Sequence, residues 1–269
     1  MQEVAFRHAG RNRPYRLHVP PARGPVPLLV ELHGRGIDVE GFDRLTGFAA
    51  LADEKRFAVA LPRGVDKRWN DGRDPSNETD DVGYILAAID DASERAPIDP
   101  ARVYLVGMSN GATMAARIAC ERADRIAAIG QVAGTASADV AARCRPSEPV
   151  PIVQIHGTAD RFAPYAGGVR HGFRARLFMR RTFGPMVGVD EWARFWVAAN
   201  GSAVECETRS LPPDTEVRDW GSIVFYRIED GGHTWPGGGL PMPAFLLGRT
   251  SRTFDAGRVV WDFVSRYAR

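Results

Sequence analysis

A serine enclosed by two glycines, in Gly107–Gly111, constrains the fold of this chain more than any other segment. The apolar run 102–106 before it is typical of a buried strand. The small residues of 112–119 after it favour a helix. Such a serine takes a strained backbone conformation, and the glycines on either side let the helix pass close to the strand. The pattern therefore predicts a strand–turn–helix unit with Ser109 at the turn.

Strand and helix signals alternate along the rest of the chain, joined by short connections. Strands are predicted at 4–8, 15–19, 28–32, 57–61, 126–132, 152–155 and 223–228, and helices at 42–55, 80–92, 190–199 and 255–267. This order predicts an α/β fold with a mostly parallel sheet and helices on both faces. Only 161–189 interrupts the rhythm, so we interpret residues 1–269 as one domain with an irregular insert.

Charge and hydropathy limit the partners of the protein. The 35 basic and 33 acidic residues leave a net charge of +2, so no overall electrostatic attraction for nucleic acid is expected. No apolar run reaches the roughly 20 residues that span a membrane. The N-terminus lacks the apolar core of a signal peptide, so cytoplasmic residence and removal of a leader both stay open.

Three cysteines, Cys120, Cys144 and Cys206, have no metal-ligand spacing, and we expect neither a metal nor another cofactor. An odd count allows at most one internal disulfide. Three reduced and partly buried thiols are an equally good interpretation.

A serine hydroxyl needs an adjacent base to act as a nucleophile, and the base needs an orienting acid. His233 follows two glycines just after strand 223–228, in a loop that leads to the carboxyl edge of the sheet. His171 lies in the insert and follows no strand, so His233 is the predicted base.

Asp160 is the predicted acid, because it closes a short loop after strand 152–155 and so reaches the same edge. Turn and surface roles explain the competing carboxylates Asp214, Asp219 and Asp230. His156 precedes the acid in the chain, and we assign it a structural role at the strand end.

Two backbone N–H groups are required to stabilise the oxyanion of an acyl-transfer reaction. One is predicted at Asn110, directly after the serine, and the other at Arg35 in the glycine-rich loop after strand 28–32. Trp69 and Trp235 are candidate substrate-binding residues, although large aromatic side chains are equally ordinary in a core.

Taken together in chain order, four segments resemble the polyhydroxybutyrate depolymerase and feruloyl esterase-like branch of the α/β-hydrolases. They are Leu32-His33-Gly34, Gly107-Met108-Ser109-Asn110-Gly111, His156-Gly157-Thr158-Ala159-Asp160 and Gly232-His233-Thr234-Trp235-Pro236-Gly237. The resemblance implies an α/β-hydrolase fold and a cofactor-free serine esterase with Ser109 as nucleophile, Asp160 as acid and His233 as base. It also implies a small-molecule or polymer ester as substrate and an extracellular or periplasmic location.

The insert departs from the family pattern because it is long and basic. It carries Arg161, Arg170, Arg174, Arg176, Arg180 and Arg181, with no acidic residue until Asp190. A cationic lid over the site is one interpretation. A solvated loop anchored by Phe173, Phe178 and Phe183 is the other.

Two other functions fit parts of the pattern. A serine peptidase of the same fold would use the same three residues on amides, and a silent polysaccharide- or polymer-binding module would use none of them. Oligomeric state has no signal in the sequence.

Overall fold

A ten-stranded mixed sheet forms the centre of the computed structural model, which describes residues 1–169 and 184–269. The strand order is β1-β4-β6-β5-β7-β8-β9-β12-β11-β10. Its strands are β1 Gln2–Val4, β4 Tyr15–His18, β5 Val26–Leu32, β6 Ala58–Pro62, β7 Ile98–Met108, β8 Ala128–Val132, β9 Ile152–Gly157, β10 Glu207–Leu211, β11 Thr215–Asp219 and β12 Ile223–Ile228. A separate two-stranded hairpin consists of β2 Arg7–His8 and β3 Arg11–Asn12.

The six middle strands, from β6 through β5, β7, β8 and β9 to β12, pair in parallel, and the outer strands pair antiparallel. Every residue of β5, β6, β8 and β9 is buried, as expected for strands covered on both faces. Parallel pairing brings the carboxyl ends of β5, β7, β9 and β12 to one edge of the sheet. This edge carries the loops that hold the predicted site residues.

Helices cover both faces of the sheet. They are α1 Val39–Thr46, α2 Phe48–Lys55, α3 Asp81–Arg95, α4 Asn110–Glu121, α5 Ala138–Arg143, α6 Val189–Ala199, α7 Ala244–Leu247 and α8 Ala256–Val264. One core cluster holds the buried side chains of α3, α4, α5 and α6, and the other holds those of α1, α2 and α8. The expectation of an α/β-hydrolase sheet with helices on both faces is confirmed.

Several boundaries differ from the sequence prediction, each for a local reason. The helix expected at 42–55 is two helices, because Gly47 has a left-handed φ of 73° that ends α1 before α2 begins. The opening hairpin is more elaborate: β1 pairs with β4, and β2 and β3 lie between them. Strand β11 and the edge strand β10 were not predicted, and β10 is largely exposed and lacks an apolar alternation.

Cys120 and Cys144 form a disulfide, and Cys206 is a free thiol. The structure therefore decides between the two interpretations left open by the cysteine count. The bond joins the end of the helix that follows Ser109 to the residue after α5.

Within 1–169 and 184–269, no helix is both long and apolar enough to cross a membrane. The predicted insert, 161–189, is described only at its two ends. Both interpretations of its arginines depend mostly on 170–183, which lie outside the described residues, as does His171.

Candidate active site

Ser109 occupies the sharp turn between β7 and α4. Its backbone angles, φ 56° and ψ −118°, lie in a region that non-glycine residues rarely adopt. The neighbouring glycines are sterically required: a Cβ on Gly107 would lie 2.3 Å from the Gly111 carbonyl carbon, and one on Gly111 would lie 1.8 Å from the Leu32 oxygen. Close packing of α4 on β5 and β7 therefore sets the strained turn that holds the serine at the sheet edge.

Asp160 and His233 meet at the same edge, after β9 and β12. His233 Nδ1 lies 2.8 Å from Asp160 Oδ2, and the two residues are each 6% exposed. Burial by itself raises the pKa of Asp160, but the charge and hydrogen bond of His233 oppose it, so the net pKa is below the usual value. The carboxylate is therefore ionised and oriented toward the imidazole.

A second histidine, His156, also lies beside the Asp160 carboxylate. Its Nε2 is 3.5 Å from Asp160 Oδ2 and 2.9 Å from the Ala163 carbonyl oxygen. Because the ring is fully buried, desolvation lowers its pKa and keeps it neutral. Backbone N–H groups of Phe162 and Ala163 donate to Asp160 Oδ1 at 2.7 and 2.9 Å. These bonds hold the second carboxylate oxygen in place.

The loop that carries His233 is held by a neighbouring segment. Gly232 N donates to Arg249 O at 2.8 Å, and His233 N donates to Leu247 O at 2.6 Å. The Phe162 ring stacks on the imidazole with centroids 5.1 Å apart. Phe162 was missed in the sequence because its only signal is its position two residues after the predicted acid.

The loop after β5 is tied to the loop after β6, which precedes Trp69. Gly36 N donates to Lys67 O at 2.8 Å, and Ile37 N donates back to Gly34 O at 3.2 Å. These two amides are therefore engaged within the protein. Arg35, predicted as an oxyanion donor, lies on this loop and is exposed.

Asn110 is the first residue of α4, where backbone N–H groups have no intrahelical partner. Its side chain is 4% exposed and bonds to the Trp69 backbone and to Asp71. Asp71 and the side chain of Asn110 were not predicted to have a role, although Asn110 stands in a segment that carries the family resemblance.

The two predicted substrate-binding tryptophans are both buried. Trp69 is 2% exposed and its indole donates to His33 O at 2.9 Å. Trp235 is 1% exposed and packs edge-on against Phe42 and Phe48 in the core. Its ring meets core side chains at these contacts, so we do not retain Trp235 as a substrate-binding residue.

A small recess lies beside the loop that follows β5. It is lined by Arg35, Arg68, Trp69, Asn70, Asp71, Asp74, Asn77 and Asn110. All of these residues except Trp69 have a charged or amide side chain.

A serine at a strained strand-to-helix turn, followed in the chain by a buried Asp–His pair at the same sheet edge, defines the α/β-hydrolase class. Comparisons with known proteins agree. The family model described as Esterase PHB depolymerase matches residues 13–160. The chain belongs to this family and is an esterase, a carboxylic-ester hydrolase.

Individual relatives support the assignment. A Nocardia uniformis subsp. tsuyamanensis protein named "Putative esterase NocK" is 30% identical over 95% of this chain and 80% of its own length. Feruloyl esterase B of Piromyces equi is 31% identical over 90% of this chain but only 42% of its own length. An Aspergillus awamori acetyl xylan esterase structure superposes with a TM-score of 0.61 at 16% identity, covering 87% of this chain and 93% of that one, which shows the common fold.

Proposed function

We propose that this esterase acts through Ser109, His233 and Asp160 and passes through an acyl-enzyme. The observation that carries the proposal is the buried 2.8 Å contact between His233 Nδ1 and Asp160 Oδ2, beyond the strained serine turn. In this contact Nδ1 donates its proton to the aspartate carboxylate. Nε2 is then the unprotonated nitrogen, which supports its role as the acceptor of the serine proton.

In the acylation step, Ser109 Oγ attacks the ester carbonyl carbon while His233 Nε2 takes the serine proton. The carbonyl oxygen becomes an oxyanion, which the N–H groups of Asn110 and Arg35 stabilise. The C–O bond to the alcohol then breaks, and His233 returns its proton to the departing alkoxide. Water repeats the sequence on the acyl-enzyme, releasing the carboxylic acid and free Ser109.

We further propose that the substrate is a small or polymer-linked ester. Relatives are named for feruloyl and acetylxylan ester hydrolysis, and the family for polyhydroxybutyrate depolymerisation. A panel of methyl ferulate, acetylated xylan and hydroxybutyrate oligomers separates these three substrate classes by their kcat/KM.

The disulfide supports a location outside the cytoplasm. Disulfides persist in oxidising compartments and are rare in the reducing cytosol. Fractionation of the source cells, with the esterase activity followed in each fraction, tests this location.

Replacement of the serine tests the proposed mechanism directly. Ser109→Ala is expected to lower kcat on p-nitrophenyl acetate by about 10⁴-fold or more, because no other group replaces the nucleophile. Ser93→Ala is the matched control: the Ser93 hydroxyl bonds to Ile89 O within α3, and this variant is expected to keep full activity.

A fluorophosphonate is expected to label the wild-type protein and the Ser93→Ala control, but not Ser109→Ala. Retained hydrolysis in Ser109→Ala would overturn the assignment of the nucleophile. Faster cleavage of a peptide than of an ester with the same acyl group would favour a serine peptidase. Absence of fluorophosphonate labelling in the wild type would favour a silent binding module.

A further inference from the structure

Three buried residues connect the two loops that carry the proposed oxyanion donors. The Trp69 backbone N–H donates to Asn110 Oδ1 at 2.7 Å, and Asn110 Nδ2 donates to Trp69 O at 3.1 Å. The Trp69 indole N–H donates to His33 O at 2.9 Å. Trp69 and His33 are each 2% exposed, and Asn110 is 4% exposed, so these bonds are shielded from water.

The histidine at the start of the loop is itself held from both sides of its ring. Its Nε2 accepts from Gly64 N at 3.0 Å, while Nδ1 donates to Gly34 O at 2.9 Å. Burial lowers the pKa of His33, in keeping with a neutral ring that has one donor and one acceptor nitrogen. The His33 and Trp69 rings pack with centroids 4.8 Å apart. His33 O is therefore a rigid partner for the indole.

Trp69 is consequently bonded to both sides of the oxyanion hole. Through its backbone it holds the residue after Ser109, and through its indole it holds the loop that leads to Arg35. An oxyanion hole stabilises the transition state only when its donors are aimed in advance at the developing charge. The two donors lie on segments that are far apart in the sequence. A residue that bonds to both segments therefore fixes the distance between the two N–H groups.

We propose that Trp69 is a positioning residue that aligns the Arg35 and Asn110 N–H groups for the tetrahedral oxyanion. The proposal rests on the proposed acyl-enzyme mechanism and replaces the expected role of Trp69 in substrate binding. Its ring is enclosed by protein, and each of its polar groups is engaged with a segment of the oxyanion hole. Asp71 supports the arrangement by accepting from Asn110 Nδ2.

Trp69→Phe tests the half of the connection that runs through the indole. The variant keeps an aromatic ring and the backbone bonds to Asn110, and it loses the indole donor to His33 O together with some ring volume. Complete loss of one oxyanion donor costs about 10²–10³-fold in kcat, so misalignment of one is expected to cost about 10–100-fold. KM for p-nitrophenyl acetate is expected to stay within about twofold, because the ground-state ester gains little from these donors.

A trifluoromethyl ketone provides a readout that a general loss of stability does not change. It adds to the serine as a hemiketal and places an oxyanion in the hole, so its affinity reports on the alignment of the donors. In Trp69→Phe its inhibition constant is expected to rise by the same factor by which kcat/KM falls. Fluorophosphonate titration counts the folded active sites, and kcat is expressed per titrated site.

Trp220→Phe is the matched control. The Trp220 indole also donates to a backbone carbonyl, Val204 O at 3.1 Å, but it precedes β12 at the opposite edge of the sheet. This variant is expected to keep the kcat and the inhibitor affinity of the wild type.

Asn110→Ala tests the other half and also applies if Trp69→Phe fails to fold. It keeps the backbone N–H of residue 110 while removing its two bonds to Trp69, and it is expected to lower kcat and inhibitor affinity together. Unchanged kcat in the folded variants would overturn the proposal. A rise in KM with unchanged kcat would do so as well, because it would make Trp69 a substrate-binding residue. Activity retained in Ser109→Ala would instead overturn the proposed function.

Discussion

At the scale of single residues, burial and hydrogen bonding together set the protonation states of Asp160 and His156. Asp160 accepts from His233 and from two backbone N–H groups, which stabilise its charged form despite desolvation. His156, beside the same carboxylate, has no such set of partners and is held neutral by burial. Of the two histidines, only His233 makes a hydrogen bond to this carboxylate, at 2.8 Å, whereas His156 Nε2 lies 3.5 Å from it and bonds to Ala163 O instead.

Glu31 on β5 is a buried carboxyl group that the proposed mechanism does not use. Thr46 Oγ1 donates to its Oε2 at 2.8 Å, and Glu31 Oε1 has no hydrogen-bond partner among the described residues. Desolvation, with repulsion from Asp43, raises the pKa of Glu31 to about 8. In the unfolded chain the pKa of a glutamate is about 4.3.

The raised pKa makes the stability of the protein depend on pH. Between about pH 4.3 and 8 the unfolded chain has lost the Glu31 proton while the folded chain retains it, so the free energy of unfolding falls as pH rises. Glu31→Gln removes this titration. We expect it to have only a small effect at pH 5 and to raise the free energy of unfolding, and with it the Tm, at pH 8.5, by roughly 4 kcal/mol more than at pH 5.

Thermal unfolding at both pH values measures the effect of Glu31→Gln. Glu207→Gln on the exposed strand β10 is the control and is expected to shift the Tm equally little at each pH. An equal Tm shift at pH 5 and 8.5 in Glu31→Gln would contradict the proposed titration.

At the scale of elements, the segment 247–253 determines where the His233 loop lies. Gly231 and Arg249 form a bridge, and Asp214 accepts from the side chains of Arg249, Ser251 and Thr253. Desolvation alone would raise the pKa of Asp214, but these hydrogen bonds bring it down to about 2. Asp214, considered in the sequence as a competing acid, thus anchors the segment to which the His233 backbone is bonded.

Asp214→Asn is expected to loosen this anchor. We expect a loss of about 1–3 kcal/mol in the free energy of unfolding, because a charged, nearly buried acceptor becomes neutral. A fall of several-fold in kcat is expected along with it, as His233 becomes less well oriented. Denaturant unfolding and p-nitrophenyl acetate kinetics measure the two effects.

Asp219→Asn is the control for Asp214→Asn, since Asp219 accepts from Gly221 N in an exposed turn before β12. It is expected to change neither stability nor kcat appreciably. Wild-type stability and kcat in Asp214→Asn would show that the segment 247–253 is held without the carboxylate.

At the scale of the whole molecule, the Cys120–Cys144 disulfide joins α4 to the connection before β9. The two Cα atoms are 4.8 Å apart and the cysteines are separated by 24 positions in sequence. Closing a loop of this length in the unfolded chain stabilises the folded state by about 3 kcal/mol in the chain-entropy account.

Replacing both bonded cysteines by alanine is expected to lower the Tm by roughly 5–10 °C, with the activity retained at low temperature. Cys206→Ala is the matched control, because Cys206 is a free thiol, and it is expected to leave the Tm unchanged. Calorimetry with and without a reductant measures the loss. A Tm that does not change when mass spectrometry shows full reduction would contradict a stabilising role.

Much of the fold could be predicted from the sequence. The buried parallel strands appear as continuous apolar runs, and the order of Ser109, Asp160 and His233 follows from motifs that end those strands. The exposed edge strand β10 could not be predicted in this way, because it buries too little apolar surface to leave a periodic pattern. Similarly, the spacing of apolar residues around Gly47 does not indicate that one helix ends there and another begins.

The sequence by itself determined the class of fold and the residues to examine, since local apolar pattern and glycine placement restrict the backbone directly. Only the tertiary structure decided that Trp235 is a core residue, that Cys120 pairs with Cys144, and that Trp69 bonds to His33 and Asn110. His33 and Trp69 are separated by 36 positions, and Trp69 and Asn110 by 41. Contacts between residues so far apart in the sequence depend on how the packed strands bring their loops together. Local propensities do not predict such contacts.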